Sequence, residues 1–239
     1  MSLEHFHQND ALETARRFSE EQFPFASLVL LCGSWATGRA HPDSDLDLVV
    51  LDESVERVFF EGISYEGWII EVCAIGLNYV REFFEESAKY RSAPVPIQVV
   101  DGIVVKGSSV IAERVRTLAR EVTDCGPGLL SDADRSDTQY DITVLRDDLR
   151  HASRDALPAL AAYAHVRLSR AVLDASGTWR AERKVLRRAV AKVDSGLADR
   201  LDEALLSGCS GDAILLVEIC DVILERFGGP SRTYPRFPG

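Results

Sequence analysis

Three things are scarce in this chain, and each scarcity narrows what the protein can be. The first is basic charge. Against 38 aspartates and glutamates stand 27 lysines and arginines, a formal net charge of −11 over 239 residues with a sequence pI near 5.0. That balance disfavours a wide, sequence-independent grip on nucleic acid or anionic lipid, both of which need basic surface. It suits a cationic small molecule better. The second is paired cysteine. Cys32, Cys73, Cys125, Cys209 and Cys220 are odd in number and form no C-x-x-C pair. Three of them lie in apolar runs, the pattern of reduced, buried thiols. The third is a long apolar run. The stretch "AILLV" is stopped by Glu218, far short of the roughly 20 residues a membrane helix needs. The start, "MSLEHFHQND", lacks the basic residues and apolar core of a leader peptide. A soluble, cytoplasmic protein is expected, with His5 and His7 in an unordered start.

What is present divides into two halves. "NDALETARRFSEEQ" at 9–22 reads as a helix stopped by Pro24, and "ASLVLLC" at 26–32 as a buried strand. A glycine–serine loop follows, then a strand at 45–51. "GISYEGWIIEVCAI" predicts two strands about a turn at Glu66-Gly67, with Trp68, Ile70, Val72 and Ala74 on one face and Ile69, Glu71 and Cys73 on the other. "LNYVREFFEESAKY" predicts an amphipathic helix, "PIQVVDGIVVKG" a hairpin turning at Asp101-Gly102, and "SSVIAERVRTLAREV" another helix. The Gly, Pro, Asp and Ser cluster at 123–134 is the candidate linker. Beyond it every segment has helical spacing, including "RAERKVLRRAVAKV", until Gly228-Gly229-Pro230 ends the last helix. No internal repeat is evident. The expectation is an α+β chain: a unit over 1–122 with a small mixed sheet, an all-helical unit over 133–228 closing a cleft, and an irregular tail over 229–239.

The stretch "LCGSWATGRAHPDSDLDLVV" carries the chemistry. Residues i and i+2 of a strand point the same way, so Asp45 and Asp47 form a carboxylate pair while Leu46 and Leu48 pack behind them. Two like charges so close repel and raise one pKa; a divalent cation removes that cost, and hard carboxylate oxygens suit Mg²⁺. Glu71 lies among apolar neighbours on another predicted strand, where a glutamate is costly unless paired or ligating a metal. If the two strands are neighbours it faces the same ion. Gly33 lets backbone approach a phosphate closely and Ser34 adds a hydroxyl, while "SWATG" is short enough for a helical turn with N–H groups towards an anion. A loop for a triphosphate beside a strand for its metal is the requirement of nucleotidyl or phosphoryl transfer. The plainer reading, that "HPDSD" is only a turn, accounts for Asp45 and poorly for Asp47. His41 reads as an ordinary loop histidine, and Trp35 as packing the loop down rather than stacking on a ligand.

G-S-x10-D-x-D with a further acidic residue in a later apolar strand resembles the DNA polymerase β superfamily of nucleotidyltransferases, on Gly33, Ser34, Asp45, Asp47 and Glu71. The resemblance implies Mg²⁺-dependent transfer of a nucleoside monophosphate from an NTP, with pyrophosphate released and two metal ions expected. It implies that Glu71 is either a third metal ligand or the general base. With a helical second half the chain is most similar to the aminoglycoside adenylyltransferases of the streptomycin/spectinomycin and kanamycin kinds. "LSRAVLDASGTWRAERK" at 168–184 resembles the segment in which that group contacts the nucleotide phosphates. This matches Arg170 and either Arg183 or Lys184. The residues Arg180, Arg183, Lys184, Arg187 and Arg188 read as a basic helix, serving a triphosphate or paired with nearby acids. The implied reactants are ATP or another NTP and a small hydroxyl-bearing acceptor such as an aminoglycoside, with no membrane and no extended nucleic-acid surface. Two other functions fit the same residues: adenylylation of a partner protein, as in minimal nucleotidyltransferases of toxin–antitoxin pairs, and nucleotide binding without catalysis.

Overall fold

The computed structural model describes residues 8–233, so His5, His7 and the last six residues of the tail lie outside the described part. The chain divides into two compact units, Met1–Gly126 and Pro127–Gly239.

The first unit contains α1 (Gln8–Gln22), β1 (Leu28–Leu31), α2 (Gly33–Ala36), β2 (Leu46–Asp52), β3 (Val58–Tyr65), β4 (Trp68–Gly76), α3 (Val80–Tyr90), α4 (Pro94–Asp101), β5 (Ile103–Gly107) and α5 (Ser109–Cys125). Its strands form one mixed sheet in the order β3-β4-β2-β1-β5. β2 and β4 run parallel, and the other neighbours are antiparallel. Glu66 and Gly67 both have positive φ (48° and 83°), the conformation of a tight hairpin turn that matches strand twist. Both sheet faces are covered. Ala11, Ala15 and Phe18 of α1 pack with Val29, Leu48, Val50 and Ile70 on one side. Phe84 of α3, Val99 of α4 and Ala112 and Val115 of α5 pack with Leu30, Val49 and Ile75 on the other.

The hairpin expected over residues 96–107 is absent: this segment is α4 followed by β5, and β5 pairs with β1. Pro94 sits in the first turn of α4, where a missing N–H costs nothing. Val95 and Val99 lie one turn apart and are both buried. Their burial against the sheet outweighs the β preference of branched side chains, and Asp101-Gly102 ends a helix instead of turning a hairpin.

The second unit is helical throughout its regular elements: α6 (Asp132–His151), α7 (Leu157–Ala175), a 3-10 turn at Arg183–Val185, α8 (Leu186–Val193), α9 (Ser195–Cys209) and α10 (Ile214–Phe227). Ser131 and Asp194 cap α6 and α9, their side-chain oxygens accepting the N–H of Asp134 and Leu197. Leu145, Leu168, Val172, Leu201, Ile219 and Ile223 form the core. Gly208 of α9 lies so close to α7 that a Cβ there would stand 2.6 Å from that of Ala161. The helix expected from Arg180 onward begins only after the 3-10 turn. The guanidinium of Arg180 instead forks onto the carboxylate of Asp174 at 2.8 and 2.9 Å, which ties the segment back to α7. The α+β organisation is thus a mixed-sheet unit followed by helices. Among the described residues no helix is long and apolar enough to cross a membrane.

Candidate active site

The site is built where β2 begins. Leu46, Leu48 and Val50 face the α1 side and are buried, so alternation turns Asp47 to the other face. The parallel register places Glu71 of β4 directly beside Asp47 of β2. Asp45, one residue before the strand, joins them: a carboxylate oxygen from each of the three lies within 4.8 Å of the others. Asp45 and Asp47 are half-buried and Glu71 is exposed. The expectation that Glu71 is an expensive buried charge is therefore corrected. It sits at the open end of the sheet, and register alone brings it to the pair. Two unit charges at such a separation repel by about 1 kcal/mol in water and about 3–4 kcal/mol near a protein surface. Three hard oxygen donors converging in this way fit a divalent cation of the Mg²⁺ type.

The glycine–serine turn is locked against the same carboxylates. Cys32 N–H donates to the carbonyl of Asp47 at 2.8 Å. Gly33 has φ +63°, and a Cβ there would fall 1.8 Å from Asp47 Oδ2, so a side chain at this position would be strained and would push that carboxylate aside. Thr37 Oγ1 donates to the Gly33 carbonyl at 2.9 Å. Among the described residues Ser34 Oγ is buried without a hydrogen-bond partner, a deficit of about 1–3 kcal/mol that a ligand oxygen would relieve. Trp35 packs edge-on to Trp68, with ring centroids 5.4 Å apart, and its Nε1–H donates to the Ser44 carbonyl at 3.4 Å. The indole therefore wedges the turn in place. The following bend is held by Ser44, whose Oγ accepts the His41 N–H at 3.0 Å. Exposed His41 has no place in the carboxylate cluster. Burial, reinforced by the charge of Asp47, pushes the Cys32 thiol well above its ordinary range, so it stays a neutral packing group.

A groove of about 410 Å³ opens beside Asp47 and Glu71 and is walled by Phe60, Cys73, Pro94 and Gln98. Sequence reasoning missed Phe60 and Gln98. The predicted β3 began too late to include Phe60, and Gln98 lay in the misread hairpin.

Arg170, Arg183 and Lys184 belong to the second unit. Arg170 Nη2 donates to Glu182 Oε1 at 2.7 Å, while its Nε is buried without a partner. Arg183 and Lys184 are exposed in the 3-10 turn, Arg183 with φ +46°. The basic helix is therefore not one surface. Arg180 is committed to Asp174, and Arg187 to Asp199 and Asp202, each at 2.6 Å.

The mixed sheet of the first unit and its acidic cluster resemble those of a nucleotidyltransferase domain. Residues 12–108 match the family model of the nucleotidyltransferase domain, and this segment contains the glycine–serine turn, both aspartates and Glu71. Among solved structures, a nucleotidyltransferase-like protein from Exiguobacterium sibiricum 255-15 is similar over 90% of this chain and 74% of its own, at 13% identity and a TM-score of 0.45. No curated protein matches the chain.

Proposed function

We propose that this nucleotidyltransferase moves AMP from ATP, with Mg²⁺, to a hydroxyl of a small acceptor such as an aminoglycoside, and releases pyrophosphate. The observation that carries the reading is the convergence of Asp45, Asp47 and Glu71 within 4.8 Å beside a turn whose glycine lies against the Asp47 carboxylate.

In this reading the acceptor oxygen attacks the α-phosphorus, the bond to the bridging oxygen of the β-phosphate breaks, and pyrophosphate leaves. Asp45 and Asp47 hold the divalent ion, with Glu71 as third ligand or as the base that takes the acceptor's proton. When bound, the ion neutralises the carboxylates and the charge that develops on the phosphates. The backbone at Gly33 and the unsatisfied Ser34 hydroxyl hold the β- and γ-phosphates. Arg170 and either Arg183 or Lys184 contact the phosphates as well. The orphaned Arg170 Nε supports its part in this.

The test is to mix the full chain with Mg²⁺, each NTP in turn and a panel of aminoglycosides and other hydroxyl compounds, and to read product masses and released pyrophosphate. Asp47→Asn should lower turnover on the order of 10³-fold, the several kcal/mol that metal-assisted charge stabilisation supplies. Equal binding of Mg²⁺ and nucleotide by that variant would sink the metal site. Labelling confined to a protein would replace the small acceptor with a partner protein, and binding without turnover would leave a nucleotide-binding module.

A further inference from the structure

Resting on the function proposed above, we infer that the groove on the β3–β4 side of the carboxylates is the acceptor subsite. Phe60 and Gln98 select what enters it, and the acceptor they fit is an uncharged or cationic hydroxyl compound with a nonpolar ring face.

The sheet order supplies the geometry. Crossing from its edge, Gly62 of β3 pairs with Glu71 of β4, Glu71 pairs with Asp47 of β2, and Asp47 abuts the Gly33 turn that follows β1. The three carboxylates therefore stand between two different surfaces. On the β1 side is the turn with the unsatisfied Ser34 hydroxyl. On the β3 side is the groove. In-line transfer needs the leaving pyrophosphate and the attacking hydroxyl on opposite sides of the reacting phosphorus, and the carboxylates are flanked in that way.

The groove's chemistry excludes the triphosphate. The carboxylates on its face of the sheet are Asp47 and Glu71, and its lining includes, among the described residues, no lysine, arginine or histidine. An anion of several charges would meet two carboxylates and no cationic side chain there. A neutral or positively charged molecule meets complementary surface. Phe60 offers a ring that is 65% exposed, against which the C–H face of a sugar-like or cyclitol ring can lie. Cys73, its cross-strand partner, is buried and contributes a small apolar wall. Gln98, half-buried on α4, supplies one amide that both donates and accepts. The volume, about 410 Å³, lies within the usual range for a small-molecule site. Gly62 is on the same face as Glu71, and nothing stands within 4 Å of where its Cβ would be; a larger side chain there would fill the groove without disturbing the fold.

The experiment uses the full chain, Mg²⁺, ATP and three probes, kanamycin A, spectinomycin and uncharged myo-inositol. Acceptor KM is read from initial rates of pyrophosphate release, and affinity for Mg²⁺ with a non-hydrolysable ATP analogue by calorimetry. Phe60→Ala and Gly62→Leu should each raise acceptor KM about tenfold with nucleotide affinity unchanged within twofold. Gln98→Ala should alter the ranking of the probes. Gly62→Leu keeps the test open if Phe60→Ala destabilises the strand. Weakened nucleotide binding with unchanged acceptor KM would place the nucleoside in the groove and overturn the proposal. So would no effect on either quantity, or failure of every probe to bind the wild-type chain in the presence of nucleotide. Failure of the function itself reads out separately, as nucleotide and Mg²⁺ binding that Asp47→Asn leaves intact.

Discussion

Both units pair opposite charges, the first in Arg17–Glu66 and Arg116–Glu113 for example, but they differ at one place. At the start of β2 the first unit gathers three carboxylates of one sign within 4.8 Å. The second unit answers charge with charge. Arg146 donates to Asp221 at 2.8 Å, Arg167 meets Asp141, Arg180 forks onto buried Asp174, and Arg187 bridges Asp199 and Asp202. Opposite charges in contact are what a fold makes when it serves only itself. Like charges in contact must be held together by what surrounds them, here by strand register and by the Gly33 turn. The contrast is a reason to look for chemistry in the sheet unit and for architecture in most of the arginines of the helical one.

The sharpest way to break the contrast is at Gly33. An alanine there must adopt φ near +63° and place its Cβ 1.8 Å from Asp47 Oδ2. Left-handed backbone alone costs a side chain about 1–2 kcal/mol, and the collision displaces a carboxylate of the cluster. Gly33→Ala should lower kcat/KM at least about 100-fold, near 3 kcal/mol, and lower the melting temperature as well. Near-native activity would mean that the position of Asp47 does not govern the reaction.

The helical unit is tested at Arg180. Its loss leaves Asp174, whose side chain is 3% exposed, as a buried carboxylate without its guanidinium. Breaking a fully buried pair costs about 3–5 kcal/mol; Arg180 is itself 35% exposed, so about 2–3 kcal/mol is the better figure. Arg180→Met should lower the melting temperature by about 10 °C, measured by circular dichroism. An unchanged melt would remove the structural role assigned to these pairs.

The carboxylates should respond with the opposite sign. With metal chelated, Asp45→Asn removes repulsion from its neighbours and should raise stability by about 1 kcal/mol. Added Mg²⁺ should stabilise the wild-type chain more than the variant, since only the former keeps all three donors. A variant less stable than the parent in chelator would show that Asp45 serves the fold, and the two units would then be alike.

Much of this contrast is legible in the sequence, and the parts that are not have physical causes. The i, i+2 spacing places Asp45 and Asp47 on one side because strand geometry is local. That Glu71 joins them depends on the parallel register of β2 and β4, which no local pattern states. The burial argument made for Glu71 fails because its strand end lies open to solvent. The segment around Asp101-Gly102 carries a strong hairpin signal, yet Val95 and Val99 bury as a helical pair and β5 leaves to pair with β1. A helical period read through residues 180–185 fails for a similar reason. Arg180 is drawn to Asp174 six residues earlier, and pairing of charge across a loop leaves no periodic trace. Phe60 and Gln98 escape notice because both sit at those misread edges.

The smallest expected effect, that at Glu182, concerns a pair in the helical unit whose exposed partner a ligand can replace. Arg170 donates to Glu182 through Nη2 while its Nε goes unsatisfied, and Glu182 is 60% exposed, beside the turn that carries Arg183 and Lys184. An exposed pair of this kind is worth under about 1 kcal/mol, so a phosphate, which accepts from both nitrogens of the fork, can take the place of the carboxylate. If Arg170 serves the nucleotide, Arg170→Gln should raise the KM for ATP about tenfold. Glu182→Gln should lower it about two- to threefold, because the competing charge is gone while the loop keeps its shape. If instead Arg170 is architecture like Arg180, both variants should lower the melting temperature and leave the KM for ATP where it was. The sign of the Glu182→Gln effect on KM therefore decides whether this arginine serves only its own fold or also the nucleotide.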